Sequence, residues 1–215
     1  NSIAIIVENA KWAQIQGGGS ARVTPHYVVS PLEGLVNRAS DRVEIGYEIG
    51  CTVHKMLPLP DANSLTTEDG SQNRLTVHFF DNKELSGDPV HTEVTDRTEL
   101  VWFGDSVPHV DPEKFSIRLT GIFTAAETGT YTFSLMSVGL SRLFIDGVER
   151  IDNWTDVAPG EGTEKVAEIE MTAGQSYHLK IEYGWEGSSH WRTLRLGCMP
   201  PFSTDLINDA VMLAA

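Results

Sequence analysis

Phe115-Ser116-Ile117-Arg118-Leu119-Thr120 alternates apolar and polar side chains without a break, the period of a strand with one face in a core. Tyr131-Thr132-Phe133-Ser134-Leu135 and Tyr177-His178-Leu179-Lys180-Ile181-Glu182-Tyr183 repeat the pattern. Turn signals separate such segments: Glu127-Thr128-Gly129, Asp146-Gly147 and Ala173-Gly174. Short strands spaced by tight turns predict an antiparallel β-sandwich or barrel. No fixed-period repeat is visible, which disfavours a solenoid or propeller.

Outward from this block the character changes on both sides. Pro58, Pro60 and the polar run 61–73 read as a linker. Upstream, Ile3-Ala4-Ile5-Ile6-Val7 is a continuous apolar run, expected as a strand buried on both faces. Ser30-Pro31-Leu32-Glu33 reads as a helix start: Ser caps, Pro takes the first helical position and Glu33 completes a capping box. Val43 to Ile49 then alternates as a strand, so strand, helix and strand form a parallel βαβ unit. Downstream, residues 205–215 read as a helix. The expected fold class is therefore mainly β: an antiparallel β-sandwich inserted into a partial α/β (βαβ) sandwich domain. Residues 1–60 begin the α/β domain, 61–199 form the insert, and 200–215 resume the α/β domain as a helix. A chain that opens on a core strand and closes on an uncapped helix reads as cut from something longer.

Composition narrows the function classes. Sixteen Lys plus Arg stand against 30 Asp plus Glu among 215 residues, a formal charge of −14. Such an acidic chain repels phosphate backbones and anionic lipid, so neither nucleic acid nor membrane is expected as a partner. No apolar run reaches the roughly 18 to 20 residues that span a bilayer. There is no signal-peptide pattern, and cytoplasmic and secreted locations both stay open. Two cysteines, Cys51 and Cys198, make no disulfide scaffold, and no Cys/His spacing matches a zinc site, so no metal ligand and no cofactor is assigned. Each cysteine follows Gly at the end of a strand-like run. They are expected close together at the base of the insert, as reduced, mostly buried thiols.

Gly17-Gly18-Gly19-Ser20 lacks the spacing and lysine of a phosphate loop and reads as a plain loop. Ser20 and Ser141 lack a nucleophile-elbow context. Asp146, Asp152 and Asp156 read as turn and surface acids. Trp154 follows a strand directly and is expected in the core, while Asn153-Trp154-Thr155 is a glycosylation sequon. The distinctive cluster is Tyr183-Gly184-Trp185-Glu186-Gly187-Ser188-Ser189-His190-Trp191-Arg192. Two Trp in a Gly/Ser loop offer faces on which sugar rings stack, with Glu186 and His190 to pair hydroxyls. Trp185, Glu186, His190 and Trp191 are the candidate substrate-binding residues. The alternative is that one or both Trp plug an end of the sandwich.

The stretches 115–121, 127–133, 142–147 and 151–154 resemble the anthrax protective-antigen-type module, a β-sandwich of toxins, adhesins and glycosidases. The flanks, from Ser2–Val7 through Thr24 to Gly34 and from Asp205 to Val211, are similar to the α/β-sandwich domain of family-three glycoside hydrolases. The resemblance implies part of a retaining β-glucosidase acting on terminal β-D-glucosyl residues of glucosides or oligosaccharides. Its partner is then the remainder of the glycosidase chain, with the barrel domain; homo-oligomerisation stays open. The family's nucleophilic Asp and acid/base Glu both fall outside these residues, so no catalytic residue is assigned and this chain alone is expected to be inactive. Lectin-type modules bind calcium through Asp residues in the loop after the Tyr-Thr-Phe strand. Here that loop reads Ser137-Val138-Gly139-Leu140-Ser141, without a carboxylate. The remaining alternative is a non-catalytic carbohydrate-binding or adhesion module.

Overall fold

The computed structural model describes residues 2–11, 13, 25–39, 43–52, 54–104, 107–155, 162–188, 190–201 and 205–215. The triple-glycine loop, Ser20 and Asp156 lie outside them. The chain divides into two units, one of residues 1–55 with 202–215 and one of residues 56–201.

The smaller unit pairs β1 (Ser2–Ile6) in parallel with β2 (Glu44–Glu48), Ile3 opposite Ile45, across helix α1 (Pro31–Arg38). The reciprocal capping box is present: Glu33 N–H donates to the Ser30 hydroxyl at 3.1 Å, and Ser30 N–H donates to the Glu33 carboxylate at 3.4 Å. Helix α2 (Leu206–Ala214) starts on Asp205, whose side chain accepts from Asn208 N–H, and it sets Leu213 against Gly46. Within the described residues Ile3 and Ile6 of β1 are each 41% exposed, so this unit by itself does not cover both faces of the strand. A two-stranded sheet beside two short helices has too little apolar surface to cover both faces. Around Glu8 the unit is polar: His54 Nε2 lies 2.6 Å from its carboxylate, and the Tyr47 hydroxyl donates to its carbonyl at 3.5 Å.

The larger unit is two antiparallel sheets. One runs β10 (Val148–Asn153), β9 (Leu140–Ile145), β12 (Ser176–Glu186), β7 (Lys114–Thr124), β4 (Leu75–Phe80) and β5 (His91–Thr95), with β3 (Leu65–Thr66) also pairing β7. The other runs β11 (Gly162–Met171), β8 (Gly129–Val138), β13 (Trp191–Met199) and β6 (Glu99–Phe103). The alternating apolar residues of both sheets meet in one core. Ile117, Leu119, Phe123, Tyr131, Phe133, Leu135, Leu179, Ile181 and Tyr183 are all 3% exposed or less. Edge-on aromatic pairs such as Phe123–Phe133, 5.5 Å between centroids, fill the layer.

Residues 61–73 are not a linker. Asp61 accepts from Asn63 N–H to open a short turn, and Leu65 in β3 enters the core at 1% exposure. Asp69 closes the next turn, accepting from Ser71 N–H at 3.0 Å and from the Thr67 hydroxyl at 2.5 Å. The ends of the unit meet, because Cys198 N–H donates to Pro58 O at 2.7 Å and Arg195 to Leu57 O at 2.6 Å. Both cysteines are free; Cys198 is buried, its thiol pushed up to about 12 by that burial, whereas Cys51 is exposed. Asn153 is fully buried and its side-chain amide donates to Leu135 O at 2.9 Å, so the folded sequon offers no acceptor to a glycosyltransferase.

Candidate functional site

Three connections converge at one end of the sandwich: the β4–β5 turn (81–90), the β6–β7 connection (104–113) and the β12–β13 turn (187–190). Gly187 N–H donates to Glu113 O at 2.9 Å, and Gly104 N–H donates to His190 O at 2.8 Å. Asp111 N–H reaches Asp81 at 3.1 Å. Glu186 accepts from Lys83, and Lys114 stands 3.7 Å from its other oxygen. These lysines, the Lys83 hydrogen bond first, hold the Glu186 carboxyl below the usual range. Glu186 is thus an exposed anion between two cations.

The two tryptophans of the cluster do not share a loop. Trp185 lies in β12 opposite Phe115, 4% exposed, with its indole N–H donating to Gly187 O at 3.0 Å. The Arg192 guanidinium stands 5.4 Å from its ring centroid and donates to Gly104 O at 2.7 Å. Trp185 therefore joins Trp102, Phe115 and Tyr183 as an end plug of the core. The Tyr183 hydroxyl donates to Val138 O at 2.7 Å, and burial holds the phenol protonated to well above its ordinary range. Trp191 is the opposite case: it opens β13 directly across from Phe103 of β6, and the two are 51% and 66% exposed. His190 precedes it, exposed at the turn. Glu186 ends β12, His190 lies in the following turn and Trp191 opens β13, so the three border one turn from two different sheets, while Trp185 is buried. Phe103, Lys83 and Lys114 were not singled out from the sequence. Phe103 was legible as the outward end of Leu100-Val101-Trp102-Phe103, but the lysines came from other turns and carried no local signal.

Trp154, expected in the core, is half-buried on the outer face of the large sheet, over Gly184 and 4.5 Å from the Arg142 guanidinium. Nearby, buried Glu182 accepts from Arg118 at 3.1 Å and Arg142 at 2.7 Å, with Lys180 at 3.4 Å. Asp152 and Asp146 serve turns. Asp152 accepts from Trp154 N–H at 2.7 Å, and Asp146 (φ 50°) with Gly147 (φ 75°) makes the two-residue β9–β10 hairpin. Between β8 and β9 the chain turns at Gly139 (φ 118°), where a Cβ would meet the Tyr183 ring at 2.8 Å. That connection is closed down on the core.

Comparison with known proteins places this geometry. The chain is 32% identical over its whole length to a β-glucosidase of Rhizobium radiobacter, covering 26% of that protein. It is 30% identical over 99% of its length to probable β-glucosidase H of Aspergillus oryzae, covering 27%. It thus spans about a quarter of the curated relatives it matches. The crystal structure of a Kluyveromyces marxianus β-glucosidase in complex with glucose superposes on all of the chain with a TM-score of 0.80 at 28% identity, 28% of that protein being covered. Residues 71–205, which hold nearly all of both sheets and the converged end, match the PA14 domain model, and the chain belongs to the PA14 domain family.

Proposed function

We propose that the chain is a piece of a retaining β-glucosidase that removes terminal β-D-glucosyl residues, and that its PA14 sandwich borders the mouth of that enzyme's active site. The observation that carries the reading is the extent of similarity to β-glucosidases, which includes the βαβ unit and α2 as well as the sandwich. A free sugar-binding module has no need of those flanks. On this reading the nucleophile and the acid, which retention requires about 5 Å apart, belong to the rest of the enzyme.

The converged end supplies the contacts. Trp191 and Phe103 offer adjoining aromatic faces to the aglycone sugar, with His190 and Glu186 as hydrogen-bonding partners for its hydroxyls. Trp185 acts beneath them as a positioning residue through Gly187 and Arg192. Stacking on one ring contributes about 1 kcal/mol, roughly a fivefold effect on binding. The same aromatic edge supports the second reading, a non-catalytic carbohydrate-binding module.

The test is turnover of an aryl β-glucoside by the full-length enzyme and by the 215-residue chain. Activity in the first and none in the second is expected; an inactive full-length protein that still retains oligosaccharide selects the second reading. In the active enzyme, Trp191→Ala should raise KM for disaccharides about fivefold with kcat for the aryl glucoside unchanged. An unchanged KM removes this end from the substrate path.

A further inference from the structure

On the face where β4 buries Leu75, Val77 and Phe79, its partner β5 places Thr95, Glu93 and His91, directly opposite them in register. An edge strand continuing a hydrophobic inner face would ordinarily carry apolar residues there. Such a departure from the binary pattern marks either an edge guard, an inward charge that blocks strand addition, or a functional site.

A third polar side chain closes on the pair. His109, in the β6–β7 connection, stacks its imidazole on that of His91, with centroids 3.5 Å apart and planes 21° from parallel. The His91 and His109 Nε2 atoms lie 3.5 and 4.0 Å from the same oxygen of Glu93. One ligand atom from each of the three residues falls within 4.8 Å of the other two, and among the described residues no other such group of three occurs. His109 is held at φ 70°, a conformation a residue with a Cβ adopts rarely and retains where the surroundings impose it, as at ligand clamps. Buried Phe79 forms the floor, 5.9 Å from the His91 ring and 5.7 Å from that of His109.

We propose that His91, Glu93 and His109 form a binding site for a divalent transition-metal ion of the zinc type. Two neutral imidazoles and a carboxylate are the donor set such borderline ions take, and three protein ligands leave the fourth tetrahedral corner to water. Calcium and magnesium favour all-oxygen sites and are poorly served by it. Tetrahedral ligands at about 2.0 to 2.2 Å from the ion stand about 3.3 to 3.6 Å apart, so closure by roughly an ångström, with one imidazole turned out of the stack so that both Nε2 lone pairs meet at the ion, completes the site. Glu93 and His109, with side chains 45% and 40% exposed, have room for that adjustment. An ion there ties β5, the edge of one sheet, to the connection that leaves β6 of the other. This site does not depend on the glycosidase reading.

The experiment titrates the chelator-treated chain with Zn(II) by calorimetry and with Co(II) by visible absorption. Saturable 1:1 binding with a dissociation constant of about 1 to 50 μM is expected, with tetrahedral Co(II) bands and a rise in Tm. His91→Gln and His109→Asn should each weaken binding at least tenfold and abolish the bands. Asn tolerates the left-handed backbone at 109, so that variant keeps the loop, and circular dichroism verifies both folds. Unchanged affinity in both variants overturns the proposal by assigning the ion elsewhere. Absence of saturable binding below about 1 mM also overturns it and leaves the trio as an edge guard. Tighter binding of Ca(II) than of Zn(II) is equally fatal.

Discussion

Trp185 and Trp191 flank the same four-residue turn, yet they belong to different regions of the molecule. Trp185 ends a run of inward side chains on β12, an inner strand with β9 on one side and β7 on the other. Trp191 begins β13 on the outward side, across from Phe103 on the edge strand β6. The residue after it, Arg192, takes the inward position and is 2% exposed beneath Trp185. Two identical side chains on either side of one turn, which carries the chain from one sheet to the other, thus divide between the inner layer and the accessible rim. Residue type decides neither outcome; strand parity and the neighbouring strand decide both.

That contrast is broken most directly by truncating each ring in turn. Trp185→Ala removes a buried ring of the core cluster that also holds Trp102, Phe115 and Tyr183, and it should cost about 3 to 5 kcal/mol in denaturant unfolding. Trp191→Ala should stay within about 0.5 kcal/mol of the parent chain. Equal losses in the two variants would mean that Trp191 is covered in the folded unit and that the rim does not exist as described.

A smaller effect separates the two faces of β12. Glu182 points away from the core and is nevertheless 4% exposed, enclosed by Arg118, Arg142 and Lys180. Glu182→Ala leaves three cations facing one another. Because both arginines are about a third exposed, the full cost of breaking a buried pair is screened, to about 1 to 3 kcal/mol. Arg118→Met in the Glu182→Ala background should recover part of the loss. A further fall would show that Arg118 acts through packing on Phe80, which its guanidinium covers at 5.4 Å.

The smallest effect lies at the surface turn closed by Asp69. The Thr67 hydroxyl, followed by Ser71 N–H, lowers its carboxyl to about 2. A folded pKa below the unfolded value contributes stability above the unfolded pKa, near 3.9, and loses it as the pH falls through the folded one. Between about pH 4 and pH 2 the stability of the chain should therefore fall more steeply than that of Asp69→Asn. Parallel curves across that window would remove the turn's contribution.

Much of the sandwich was legible because its signals are local. The alternation at 115–120, 131–135 and 177–183 located the centres of β7, β8 and β12, and Asp146-Gly147 located a hairpin. Ser30-Pro31-Leu32-Glu33 located the start of α1 through a cap made within four residues. The polar stretch 61–73 hid β3, because a single buried Leu65 carries no period. The apolar run at Ile3 locates β1, whereas hydropathy alone does not show what covers each of its faces.

The candidate sites divide the same way. Composition and pattern pointed to the 183–192 segment, but not to which of its rings is accessible; Trp185 and Trp191 are separated by where β12 ends and β13 begins. His91-Thr92-Glu93 shows two donors on one face of a strand, whereas His109 comes from a connection that only the packing of the two sheets brings against them. The sequence by itself determined the β class, the strand centres and the helix cap, because each is set by interactions between residues near in the chain. Tertiary structure decided which side of each strand is buried and which distant side chains meet, because both depend on the surface that a segment is packed against.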